Sequence, residues 1–247
     1  MFSGRGGEAM APIDEQGQLW VLDPLSNSWS FLTPASPVHP QPRSYHCMTN
    51  NGQDTVYVHA GCPETGRLSD LWAFNLPRSE WVQLTSAPDP PRGGTSAAFS
   101  DGRIYRMNGF DGNTEQGGSL DVYQLVTDTW TSLRFVADGK SGPGARSVSA
   151  LVTGRIEGRE CLITLFGESD PSSLGHQGAG KMLSDAWLYR IDNGLWSQIA
   201  MDAASAPEAR GWFDADVAKV DGKDCVVIVG GLGESNERLD DAWLLAL

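Results

Sequence analysis

The sequence predicts an all-β chain assembled from repeated four-stranded sheets, the blades of a propeller, and three recurring signals predict it. A short polar–Trp–polar run returns at a nearly constant interval. A β-branched segment ending in Gly stands upstream of most copies. An Arg opens a further short segment before that.

The Trp runs are SWSFL, EWVQL, TWTSL and LWSQI, with Trp29, Trp81, Trp130 and Trp196 separated by 52, 49 and 66 residues. Each reads as the last strand of a unit, strand D. A few residues before each lies an aromatic in an apolar segment, strand C: Trp20, Trp72, Tyr123 and Trp187, with Trp243 as a fifth copy. In four copies an Asp stands two residues before that aromatic (Asp70, Asp121, Asp185, Asp241). Strand B is VYVHAG, IYRMNG, LITLFG or VVIVGG, and its closing Gly lets the chain leave where a side chain would collide. Strand A starts at Arg43, Arg92, Arg146 or Arg210. The units span approximately 1–34, 43–87, 92–136, 146–203 and 210–247 within one predicted domain. The first begins inside strand B and the last stops after strand C, so five units are visible, two of them incomplete, and the expectation is a shortened six-bladed ring. The nine Trp are expected mainly to pack blade against blade.

Composition fits a folded core: 40% of the 247 residues are hydrophobic and 20% charged, and 29 Gly with 14 Pro supply turns. Eighteen basic against 31 acidic residues leave a net charge of −13, which disfavours nucleic acid and anionic membrane as partners. No apolar run, the best being Cys225 to Val229, approaches the length that spans a bilayer. The start lacks the pattern of a secretory leader. Cys47, Cys62, Cys161 and Cys225 are widely spaced and read as reduced thiols, so a cytoplasmic location is expected.

If strands A to D alternate in direction, the long B–C and D–A loops emerge on one face, the expected binding surface. Arg43, Arg92, Arg146 and Arg210 open the A strands on that face. They read as ligand-binding residues around the channel mouth, since guanidinium forks suit carboxylate, sulfate or phosphate. The alternative is that each Arg pairs with a loop acid such as Glu64, Glu115, Glu168 or Glu234. The loop at 168–183 gathers Glu168, Asp170 and His176, an imidazole and two carboxylates of the kind that hold Fe(II) or Zn. A capped, solvated turn is the competing account.

The closing Gly of strand B, the strand-C aromatic and the strand-D Trp resemble the kelch repeat over nearly the whole chain, with an intact double glycine at Gly230–Gly231. Through the 168–183 loop, RGGTSAAF, NGFDG and GGLGE, the chain is also similar to the nitrile-specifier-like kelch subfamily of plants and its fungal relatives. Those plant proteins direct glucosinolate aglycones to nitriles and hold Fe(II) with a Glu-x3-Asp-x3-His pattern. The resemblance places Glu168 and His176 on the first and last positions. Ser172 stands at the middle one, and Asp170 is the nearest carboxylate. It implies Fe(II) as a cofactor and a small anionic metabolite as ligand. Kelch propellers also serve as non-catalytic protein–protein interaction modules, and that reading stays open beside the first.

Overall fold

The computed structural model describes residues 1–172, 178–202 and 205–247. They form two compact units, Met1–Gly93 and Gly94–Leu247, built from β-strands alone among the described residues.

The first unit opens with a small hairpin of β1 (Arg5–Gly6) and β2 (Ala11–Pro12). Blade I follows as a C–D pair, β3 (Leu19–Asp23) and β4 (Ser28–Leu32), and Phe2 extends its sheet through a bridge to Leu19, the remnant of strand B that the sequence predicts. Blade II is complete: β5 (Cys47–Asn50), β6 (Thr55–Gly61), β7 (Leu68–Asn75) and β8 (Glu80–Leu84) pair antiparallel in chain order. In the second unit, blade III comprises β9 (Ser96–Ser100), β10 (Arg103–Met107), β11 (Ser119–Gln124) and β12 (Thr129–Arg134). Blade IV begins with β13 (Ala150–Ile156) and β14 (Arg159–Leu165). Its B–C loop carries a hairpin of β15 (Glu168–Ser169) and β16 (Lys181–Met182), and β17 (Ala186–Arg190) and β18 (Leu195–Ile199) complete the sheet. Blade V has three strands, β19 (Asp214–Val220), β20 (Lys223–Leu232) and β21 (Arg238–Ala246).

Alternation along each strand puts apolar side chains on both faces, and neighbouring blades bury them against each other. Phe2 and Leu19 of blade I meet Val58, Trp72, Phe74 and Trp81 of blade II. Val152, Ile163, Leu165, Ala186 and Leu188 of blade IV meet Val226 and Ile228 of blade V. The strand-D aromatics divide. Trp81 is buried, with its ring against Phe2 and its indole N–H donated to the Gly17 carbonyl, and Trp196 stacks on Phe135. Trp29 departs from the packing expectation. It is 55% exposed, because its side of the β3–β4 hairpin is turned to solvent.

A repeated stitch joins successive blades. The Gly closing strand B donates its N–H to the carbonyl of the Arg opening the next blade: Gly4 to Arg43 and Gly61 to Arg92 at 3.0 Å, Gly109 to Arg146 and Gly167 to Arg210 at 2.8 Å. Glycine is required there. Gly61 and Gly167 have φ of 103° and 105°, and a Cβ would stand 2.7 Å from the Ser44 carbonyl oxygen and 2.6 Å from that of Ser147.

Candidate functional site

The Arg opening strand A is folded into its own blade. Arg43, Arg146 and Arg210 are 0–1% exposed, and each guanidinium makes the same four hydrogen bonds. Nε donates to the carbonyl two residues back, that of Gln41, Gly144 or Glu208. One Nη bonds the carbonyl just before the closing Gly of strand B, that of Ala60, Phe166 or Gly230. The fork then takes both oxygens of the strand-C Asp: Arg43 with Asp70 at 2.6 and 2.9 Å, Arg146 with Asp185 at 2.7 and 2.9 Å, Arg210 with Asp241 at 2.6 and 2.8 Å. The same Asp accepts the indole N–H of the Trp two residues on, Trp72, Trp187 or Trp243. Strand alternation puts residues i and i+2 on one side of the sheet, which is why the Asp and the aromatic keep that spacing. Arg92 is likewise buried, with Nε on the Pro90 carbonyl.

This corrects the pairing read from the sequence. For Arg43, Arg146 and Arg210 the carboxylate partner comes from strand C of the same blade, not from the loop acids Glu64, Glu115, Glu168 or Glu234. These three forks are spent on carboxylates inside their blades. Blade III varies the arrangement. Tyr123 replaces the Trp and donates to Asp128, while Asp121 accepts from Arg106 and from the Ser132 hydroxyl.

The bidentate pairing sets the charge state of the Asp residues. Burial pushes the Asp185 carboxyl up, but the hydrogen bonds and charge of Arg146, with the Trp187 indole, hold it below the usual range. Arg210 draws Asp241 down to about 2. His46, three residues after Arg43, stacks edge-on against Phe2. Burial, with the charge of Arg43, pushes its imidazole down to about 4, so it is neutral at pH 7.

Glu168 is treated differently. It is 5% exposed, at the start of the blade IV loop hairpin. Its backbone is fixed in both directions by Ser147, with N–H and carbonyl exchanged at 2.9 Å. The Gly180 N–H reaches Oε1 at 2.5 Å. A side chain at 180 would collide, since a Cβ there would stand 2.4 Å from the Asp170 carbonyl oxygen and 2.6 Å from Glu168 Oε1. Among the described residues no cation forms an ion pair with Glu168. Burial pushes its carboxyl up, with only the Gly180 N–H acting against it. Asp170, two residues on, turns the chain with φ of 52°. His176 lies outside the described residues. The sequence signals Glu168 and Asp170; it does not reveal Ser147 and Gly180 as the supports of Glu168, which only the fold brings together.

An open cavity of about 730 Å³ lies on blade IV, with Ile199, Met201, Pro207 and Glu208 in its lining beside the Arg146-paired Asp185.

Comparison with known proteins gives four findings. A family model described as the KLHDC2/KLHL20/DRC7 Kelch-repeats domain matches residues 1–167. An N-(sulfonatooxy)prop-2-enimidothioate sulfolyase of Thlaspi arvense is 25% identical over 272 aligned residues, covering 100% of this chain and 73% of that protein. Tip elongation aberrant protein 3 of Schizosaccharomyces pombe is 42% identical over 59 residues, 24% of this chain and 5% of its own length. Among solved structures, the one titled "Structure of YjhT" superposes with a TM-score of 0.72 at 15% identity, covering 98% of this chain and 76% of that one, a likeness of fold.

Proposed function

The chain belongs to the kelch-repeat family and has the β-propeller architecture, a fold of the protein-interaction type, and from that premise we propose that the B–C loop of blade IV is a ligand site built around Glu168 and completed by a divalent cation, Fe(II). One observation carries this reading: a buried carboxylate held in place by Ser147 and Gly180 with no counter-charge from the described residues. A buried charge without a partner is costly, and a cation against it relieves that cost. By residue type the donors suit the ion: Glu168 has Oε2 beside the Oε1 that Gly180 holds, and the loop sequence also carries Asp170 and His176, a carboxylate and an imidazole. When bound, Fe(II) supplies the positive charge and Lewis acidity that draw and polarise an anionic ligand.

The chain's own residues do the positioning. The Ser147 backbone fixes the start of the loop, Gly180 orients the carboxylate, and the Arg146–Asp185 and Arg210–Asp241 pairs brace the blade ends on either side. With those guanidiniums committed, the positive charge for an anion here would come from an ion held by Glu168. The ligand class on this reading is the one in the name of the Thlaspi arvense relative, a sulfonatooxy-bearing imidothioate. The test is anaerobic loading with Fe(II) and measurement of retained iron in the full chain and in a Glu168→Ala/His176→Ala variant. One equivalent in the first and almost none in the second is expected; equal, negligible iron in both would sink the reading.

A second reading is a protein-interaction module, favoured by the family match and by the open cavity on blade IV. Its lining of Ile199, Met201 and Pro207 beside the Glu208 carboxylate fits a basic peptide segment. Binding of Lys- and Arg-containing peptides that weakens on Glu208→Ala, with no iron retained, selects it over the first.

A further inference from the structure

Two blades leave an apolar face in solvent, and the repeat says what each face fits. On blade I, the β3–β4 register places Trp20, Leu22, Trp29 and Phe31 on one side; Leu22, Trp29 and Phe31 are 43%, 55% and 51% exposed. In blade II the equivalent residues are Trp72, Phe74 and Trp81, which are buried against the sheet of blade I. On blade V, the β20–β21 register places Val227, Val229, Ala242 and Leu244 on one side, with Val229 52% and Leu244 60% exposed. Their equivalents in blade IV are Ile163, Leu165, Ala186 and Leu188, no more than 6% exposed because blade V covers them. Blade V thus presents the side that elsewhere receives the next blade. Blade I presents the side that elsewhere is laid onto the previous one.

We infer that these two faces are complementary and that blade V of one copy of this chain receives blade I of a second copy, continuing the stacking seen between blades IV and V. The contact is heterologous, since different patches meet, so a pair keeps one free face of each kind, blade I on one copy and blade V on the other, for further partners. Blade strands about 17 Å long, three of them about 4.8 Å apart, give an interface at the small end of the range for specific pairs, about 1,200 Å² or less in total. Association is therefore expected at micromolar concentration and above. Each copy carries a net charge of −13, so copies repel, and added salt is expected to tighten the contact by screening that repulsion.

Sedimentation velocity of the full chain over a rising concentration series tests this with two variants, Trp29→Asp on the blade I face and Leu244→Asp on the blade V face. Both positions are more than half exposed, and circular dichroism confirms that the fold is kept. Expected is a wild-type mass that grows with concentration and salt, two variants that each stay monomeric, and a mixture of the two variants that forms a dimer and nothing larger. The mixture is decisive because Leu244→Asp keeps an intact blade I face and Trp29→Asp an intact blade V face. A wild type that is monomeric throughout overturns the inference. So does a variant that self-associates like the wild type, or a mixture that stays monomeric. The Gln substitutions at both positions, milder than Asp, must show the same pattern.

Discussion

Glu168 and Asp185 are carboxylates of one blade, both packed into protein, and they have opposite fates. Asp185 accepts a guanidinium fork and an indole N–H, and its proton is lost more readily than usual. Glu168 accepts one backbone N–H, forms no ion pair among the described residues, and holds its proton more tightly than usual. Asp185 recurs at an equivalent position in blades II and V with the same partners, as a structural repeat unit should. Glu168 sits in a loop whose length and sequence are peculiar to blade IV. The contrast separates the charges that build the propeller from the charge left over for a ligand.

The sharpest way to break the comparison is to orphan Asp185. Arg146→Ala removes both fork hydrogen bonds, leaving the carboxylate with the Trp187 indole N–H but no counter-charge from Arg146 and taking this donor from the Phe166 carbonyl, so a loss of about 3–5 kcal/mol is expected in denaturant unfolding. A loss within experimental error would mean that the pair is not structural. Next, the double variant Arg146→Met/Asp185→Asn is expected to recover at least half of that loss, since neither charge remains and an Asn oxygen still serves the Trp187 indole. Strict additivity of the two single changes would contradict direct coupling.

Glu168→Gln is expected to act in the other direction. In metal-free protein it should stabilise the fold by about 1 kcal/mol, the lower end of the cost of an uncompensated buried polar group. The same change should abolish iron retention. A destabilising Gln would show that the carboxylate has a structural partner after all.

The smallest effect concerns acid. Asp241, drawn down to about 2, and Asp185, also lowered, are depressed relative to the unfolded chain, so the stability they contribute is fully present above pH 4. The part from Asp241 is lost as pH falls from about 4 through 2, when its folded carboxylate takes up a proton, and the part from Asp185 is lost below its ordinary range. Asp241→Asn should flatten that part of the thermal-midpoint profile only slightly, because its carboxylate is 34% exposed and solvent screens the pair.

Much of the blade pattern was legible because strand alternation and glycine stereochemistry act over a few residues. The Asp-x-Trp spacing, the Gly that ends strand B and the Trp of strand D each stand in one short segment. The exposed Trp29 was not legible, since SWSFL reads like EWVQL while only Trp81 has a neighbouring sheet laid over it. The Arg–Asp pairing shows in the sequence only as two separate halves. Arg and Asp both recur, but the partners lie 27, 39 and 31 residues apart, and the spacing varies with the B–C loop between them.

What the sequence by itself determined is therefore the local grammar: where strands begin and end, how often the unit returns, and which residue types mark its corners. Only the tertiary structure decided which charges cancel. Ion pairing depends on distances of a few ångströms, and those distances are set by antiparallel registration of strands A, B and C rather than by separation along the chain. That registration spent the arginine forks inside the blades and left the Glu168 carboxylate without an ion pair among the described residues.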